Sequence, residues 1–200
     1  MVAVAAAGLD PRDVGGLDLE AKLRGYDDGQ GVFADGALAQ AWAVLGLSAA
    51  DGPIPPAAAA ALTALQQPDG GWEGAAGWGT DSNTTALVVQ ALRAAGRPSD
   101  DAALAKARTY LQAQLAPDGG LVYSSQFGET PDANSTAYGI QGLLALGEDP
   151  TGADWARAGR SPLDALLTFQ IESGAFEWQK GEGANLLATA QAVPALARVT

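Results

Sequence analysis

One nine-residue pattern returns along this 200-residue chain at nearly constant spacing. A repeat of that length dictates a fold made by stacking one small unit on the next. The segments Thr84-Thr85-Ala86-Leu87-Val88-Val89-Gln90-Ala91-Leu92, Ser135-Thr136-Ala137-Tyr138-Gly139-Ile140-Gln141-Gly142-Leu143 and Ala188-Thr189-Ala190-Gln191-Ala192-Val193-Pro194-Ala195-Leu196 align without gaps. Their shared threonines, Thr85, Thr136 and Thr189, stand 51 and 53 residues apart. The first two copies close on Gly96 and Gly147 at the same offset. A weaker copy from Gly36 to Gly46 keeps Gln40 in the register of Gln90 and Gln141. Met1 to Gly8 matches the last eight positions of the same unit.

A second motif precedes the full copies. Gln66-Gln67-Pro68-Asp69-Gly70-Gly71-Trp72 reads Q-x-x-x-G-x-W, and Gln170 to Phe176 repeats it with Phe for Trp. Gln114 to Leu121 is a degenerate copy with one inserted residue, and Asp27 to Phe33 keeps only Gly31 and Phe33. The residues around these motifs specify helical hairpins. Ala57 to Gln67 and Ala102 to Gln114 are rich in strong helix formers. Pro55-Pro56 and Ser161-Pro162 suit helix starts, where proline is tolerated. Pro-Asp-Gly-Gly at 68–71 and 117–120 stops each helix and turns the chain. Asp81-Ser82-Asn83-Thr84 and Asp132-Ala133-Asn134-Ser135 then cap the next helix, which closes at a glycine. The first helix of each pair is amphipathic and outer. The second is nearly all apolar and should be buried on every side. Pro194 predicts a bend or break of the last inner helix near Val193.

Composition removes whole classes of chemistry. Cys and His are both absent, which excludes disulfides, Cys/His zinc sites and every triad built on histidine. A net charge of −12 argues against electrostatically driven binding to nucleic acid or anionic membrane. No stretch is long and apolar enough for membrane insertion, and Met1 to Gly8 lacks the basic start of a signal peptide.

The Q-x-x-x-G-x-W turn followed by a Thr-Ala-led apolar helix resembles the prenyltransferase/squalene-oxidase repeat. That repeat builds the α/α toroids of terpene cyclases, prenyltransferase β-subunits and cobalamin carriers of the intrinsic-factor type. Residues 134–196, with Ser161-Pro162-Leu163-Asp164 and Leu187 to Leu196, look most like the transcobalamin-like toroids of exported bacterial proteins. The resemblance implies an all-α fold, an α/α toroid of helical hairpins forming one domain over residues 1–200. About four and a half hairpins can be counted, where family toroids have five or six, so the N-terminal hairpins are expected to be missing. The open edge this leaves is expected to favour self-association. Export of a parent protein would place the domain outside the cell or at its surface.

The family's chemistry departs from this sequence. Class II cyclisation uses a D-x-D-D acid, yet Gly25-Tyr26-Asp27-Asp28 and Pro98-Ser99-Asp100-Asp101 both lack the first Asp. Class I chemistry uses D-D-x-x-D, and Asp27-Asp28-Gly29-Gln30-Gly31 lacks the last. Protein prenylation needs Cys and His ligands to zinc, which do not exist here. Asp81, Asp132, Glu172, Glu177 and Glu182 fall in turn regions, but their spacing selects no glycosidase-like pair. Asp81-x-Asn83-x-Thr85 and Asp132-x-Asn134-x-Thr136 echo a calcium loop without its Gly and Glu, and helix capping explains them better. No catalytic residue, metal or cofactor is therefore assigned.

A ligand-binding mouth is the remaining expectation. The turns and inner-helix starts gather Trp78, Asp81, Asn83, Tyr123, Phe127, Asp132, Asn134, Trp178 and Asn185. Aromatic faces beside amides and carboxylates suit a polar or sugar-like ligand. Trp72 and Phe176, inside the motif, are expected to pack between repeats. The leading expectation is a non-catalytic α/α-toroid binding module of a bacterial surface or exported protein. Its ligand would be a small molecule (by resemblance cobalamin-like, or a glycan) or a protein. The alternatives are a terpene cyclase or prenyltransferase-like enzyme or enzyme fragment, and an inert truncated repeat protein.

Overall fold

The computed structural model describes residues 1–198. It contains helices α1 (Val2–Ala6), α2 (Leu19–Arg24), α3 (Ala37–Ala49), α4 (Pro56–Ala64), α5 (Ser82–Ala94), α6 (Ala102–Ala113), α7 (Ala133–Leu146), α8 (Pro162–Leu167) and α9 (Leu186–Ala197). Two strands, β1 (Trp72–Glu73) and β2 (Thr80–Asp81), pair antiparallel between α4 and α5. This short ribbon departs from the all-helical expectation. The second Pro-Asp-Gly-Gly turn, at 117–120, forms only an isolated bridge between Leu115 and Leu121.

The inner helices neighbour one another in the series α1, α3, α5, α7, α9, while α2, α4, α6 and α8 each precede an inner partner on the outside. Four hairpins and a leading half-hairpin result, as the repeat predicts. Among the described residues no comparable packing joins α9 back to α1. Every residue from Thr84 to Leu92 of α5 is buried, because α3 flanks it on one side and α7 on the other. Small residues let α5 and α7 close up: a Cβ on Gly142 would lie 2.9 Å from the Ala86 Cβ.

The last inner helix does not follow this pattern. Only Ala188, Ala192 and Ala195 of α9 are buried, all on the side facing α7. Leu186, Leu187 and Val193 are 88%, 59% and 58% exposed, since among the described residues no inner helix packs over them. Pro194 sits inside α9 without ending it. Gly46 is not a terminator either: α3 runs through it to Ala49, and Gly46 packs beside Leu23 and Met1. Gly147 does close α7 in the left-handed conformation.

The Q-x-x-x-G-x-W residues fasten one unit to the next. The Gln66 amide donates both to the Gly70 carbonyl and to the Ala103 carbonyl of α6, each at 2.9 Å. Gly70 has φ +93°, and a Cβ there would meet the Lys106 carbonyl oxygen of α6 at 2.6 Å. Gly31 presses in the same way on Ala58 of α4, and Gly119 on Arg160 before α8. Gly174, in the last unit, meets nothing within 4 Å. Trp72 is fully buried, and its indole Nε1 donates to the Leu62 carbonyl of α4 at 2.7 Å. Trp72 and Phe176 are thus packing residues, as expected.

Candidate functional site

The shared threonine of each inner helix ties the turn to the helix. The Thr85 hydroxyl accepts the Trp72 N–H at 3.0 Å, Thr136 accepts the Leu121 N–H at 3.0 Å, and Thr189 accepts the Phe176 N–H at 2.9 Å. Thr136 and Thr189 also donate to the carbonyls of the capping residues Asp132 and Asn185, each at 2.8 Å. The weaker copy has no threonine there. Gln40, expected in the register of Gln90, instead stands fourth in α3 as Thr85 does in α5, accepting the Phe33 N–H and donating to the Gly31 carbonyl. Gln90 and Gln141 donate to carbonyls of their own helices.

Asp81, Asp132 and Asn185 are the N-caps of α5, α7 and α9. Their side chains accept the N–H groups of Thr84, Ser135 and Ala188 at 2.7, 2.8 and 3.0 Å. Asp81 is 1% and Asp132 4% exposed, so neither faces solvent. Burial raises both carboxyls above the ordinary aspartate range, against the lowering effect of the capping N–H groups. Asp132 is fully satisfied, because the Ser135 hydroxyl reaches Oδ2 at 2.8 Å. Asp81 Oδ2 has no partner of normal geometry; the Tyr123 hydroxyl and the Gly74 N–H face it without completing a bond. Asn83 lies one residue inside α5 and takes a long 3.3 Å contact from the Ser82 hydroxyl. Asn134 lies at the same place in α7 with a buried, unpartnered Oδ1.

The aromatic residues outside the motif dock on these caps across the repeat boundary. The Ser82 N–H donates to the Tyr123 carbonyl at 2.8 Å, and the Ala133 N–H to the Trp178 carbonyl at 3.0 Å. Tyr123 and Trp178 thereby occupy equivalent seats, over Asp81 and Asp132. Tyr123 stacks on Phe127 with ring centroids 6.2 Å apart. Phe127 is 65% and Trp78 73% exposed. The expected mouth thus divides into two cap-and-aromatic groups, with Asn185 on a third helix start.

Four of the other weighed carboxylates, Asp27, Asp28, Asp101 and Glu177, accept backbone N–H groups close by in the chain. Asp27 and Asp28 accept N–H groups of Gly29, Gln30, Gly31 and Val32, and Asp101 caps α6 through the Ala103 N–H. Glu177 accepts the N–H groups of Gly181 and Gly183, just as Glu73 accepts those of Gly77 and Gly79. The recurrence of Glu after the motif aromatic was the sequence sign of this loop brace.

Two concavities are present besides the caps, the second close to Asp81. An open, mainly apolar groove of about 630 Å³ runs between α1, α2 and α3, lined by Met1, Val2, Leu23, Tyr26, Phe33 and Trp42 among others. A smaller polar pocket of about 230 Å³ lies between α6, the β1–β2 ribbon and residues 124–126. Neither was foreseen, because each is assembled from residues far apart in sequence.

Comparison with known proteins places part of the chain. Residues 46–130 match the squalene-hopene cyclase N-terminal domain family. That stretch takes in the end of α3, the full α4–α5 hairpin, α6 and the turn after it. The solved apo structure of the type II terpene cyclase MstE from Scytonema aligns with 90% of this chain and 80% of its own, at 17% identity and a TM-score of 0.44. No curated protein matches the sequence. Over residues 46–130 the chain is thus similar to the N-terminal domain of squalene-hopene cyclases.

Proposed function

We propose that this domain is of terpene-cyclase type and serves as a scaffold for an extended apolar, isoprenoid-like ligand, without supplying a protonating acid. The family match over residues 46–130 carries this reading. The groove between α1, α2 and α3 supports it, being lined by aliphatic and aromatic side chains with little polar surface. That Asp27 and Asp28 close a turn and Asp101 starts a helix supports leaving these three out as protonating acids. Titration with farnesol or with squalene in cyclodextrin should shift the emission of Trp42, which is 43% exposed and lines the groove. Trp42→Phe should remove that response. A folded protein that responds to neither probe overturns the apolar-ligand reading, and a cyclised product from squalene overturns the scaffold reading.

A second reading rests on the exposed Tyr123–Phe127 stack and Trp78. Such faces suit a glycan or corrin ring. Saturable quenching by cyanocobalamin or an oligosaccharide panel, lost in Trp78→Ala, would favour it over the first.

A further inference from the structure

The smaller pocket holds a buried hydroxyl that the repeat leaves unbonded, beside turn residues that the repeat does use. Tyr110 is 5% exposed, and its hydroxyl has no partner of normal geometry, although the Thr80 and Ser124 hydroxyls face it. A buried donor left unmet is costly, so this wall is arranged to bond an acceptor. Asp69 lies on the same wall. Its two oxygens accept the Gly71 N–H at 3.0 Å and the Thr80 hydroxyl at 2.6 Å, which leaves further lone pairs free. Gln114 is fixed by accepting the Ser125 N–H at 2.9 Å, and Gln126 stands at the rim.

The chemistry of the lining selects the guest. It holds one carboxylate and no basic residue, so an anion is repelled. Burial and the nearby Asp69 and Asp81 push the Tyr110 phenol up to about 12, which keeps it a proton donor at any physiological pH. One carboxylate that already accepts two hydrogen bonds is a poor cation site. A hydroxyl group meets both needs, since it accepts from Tyr110 and donates to Asp69 at once. The volume lies below the roughly 300 Å³ at which pockets for drug-sized ligands begin, which limits the guest to a small molecule.

We propose that this pocket is a binding site for a small neutral polyhydroxyl ligand, of glycerol to monosaccharide size, held between the Tyr110 hydroxyl and the Asp69 carboxylate. It is separate from the apolar groove and does not depend on the function proposed there. Saturation-transfer NMR on the full chain with glycerol, xylitol and glucose tests it. At least one of the three should give a saturable signal. Tyr110→Phe, which removes only the hydroxyl, should weaken it by roughly five- to tenfold. Gln126→Ala, at the exposed rim, should weaken it without lowering the melting temperature, and keeps the test valid if Tyr110→Phe folds poorly. No saturable signal from any of the three with folded wild-type protein overturns the proposal. So does unchanged affinity in both variants.

Discussion

Replacing Thr85 or Thr136 by valine exchanges a hydroxyl for a methyl of nearly the same size. It leaves a backbone donor stranded. Both threonines are fully buried, and so are Trp72 and Leu121, whose N–H groups they accept. An orphaned buried N–H costs about 1–3 kcal/mol. The added methyl returns at most about 0.8 kcal/mol, which from the middle and upper part of that range leaves a net loss of roughly 1–2 kcal/mol. For a chain of this size that lowers the melting temperature by roughly 2–8 °C. Thr189 makes the same bond to Phe176, which is buried as well, but Thr189 itself is only half-buried, so its valine variant should lose less than the other two. Urea unfolding followed by circular dichroism, compared at constant m-value, reads the difference. Losses below about 0.5 kcal/mol at both buried sites would equal an ordinary surface change and refute the bridging role. A Thr189→Val loss as large as the others would refute the dependence on burial.

Alanine at Gly70 or Gly119 should destabilise more than twice as much as at Gly174 in thermal melts. All three have φ between +86° and +93°, which alone costs about 1–2 kcal/mol, but only the first two would drive a Cβ into the backbone of the next outer segment. Asp81→Asn keeps the capping oxygen and removes an ionisable group whose folded-state value lies above its unfolded one. Wild-type stability at that site falls as pH rises from the ordinary aspartate value through the raised one, because the folded form holds the proton longer. The wild type should therefore lose ground to Asp81→Asn as pH rises through that window; pH-resolved urea titrations showing the reverse slope would contradict it. The uncovered α9 face is proposed to drive self-association. Light scattering should find wild-type protein above its 20.1 kDa chain mass, and Leu187→Glu with Val193→Glu at that mass; a monomeric wild type rules this out.

Much of the architecture was legible because its signals are local. Helix starts are written in Asp81, Asp132 and Asn185, and the turns in the Pro-Asp-Gly-Gly runs, since capping and turn geometry depend on a few adjacent residues. The alignment of Thr85 with Thr136 and Thr189 marked these residues as one position, but not its purpose. That purpose is a bond to a residue 13 or 15 positions earlier, which only the folded hairpin creates. The expected binding residues fared the same way. Their types were readable, yet whether an aspartate at a helix start faces a ligand or its own backbone depends on burial by the neighbouring unit.

Periodicity and residue type alone determined a chain of helical hairpins without thiol or imidazole chemistry. Those properties follow from short-range backbone preference and from the inventory of side chains. Tertiary structure decided which faces of the inner helices are covered and which carboxylates are enclosed. It also brought Tyr110, Asp69 and Ser124 around one polar pocket. These outcomes depend on which units lie on either side of each helix, and a repeat spells its own unit in the same letters whether or not it has a neighbour.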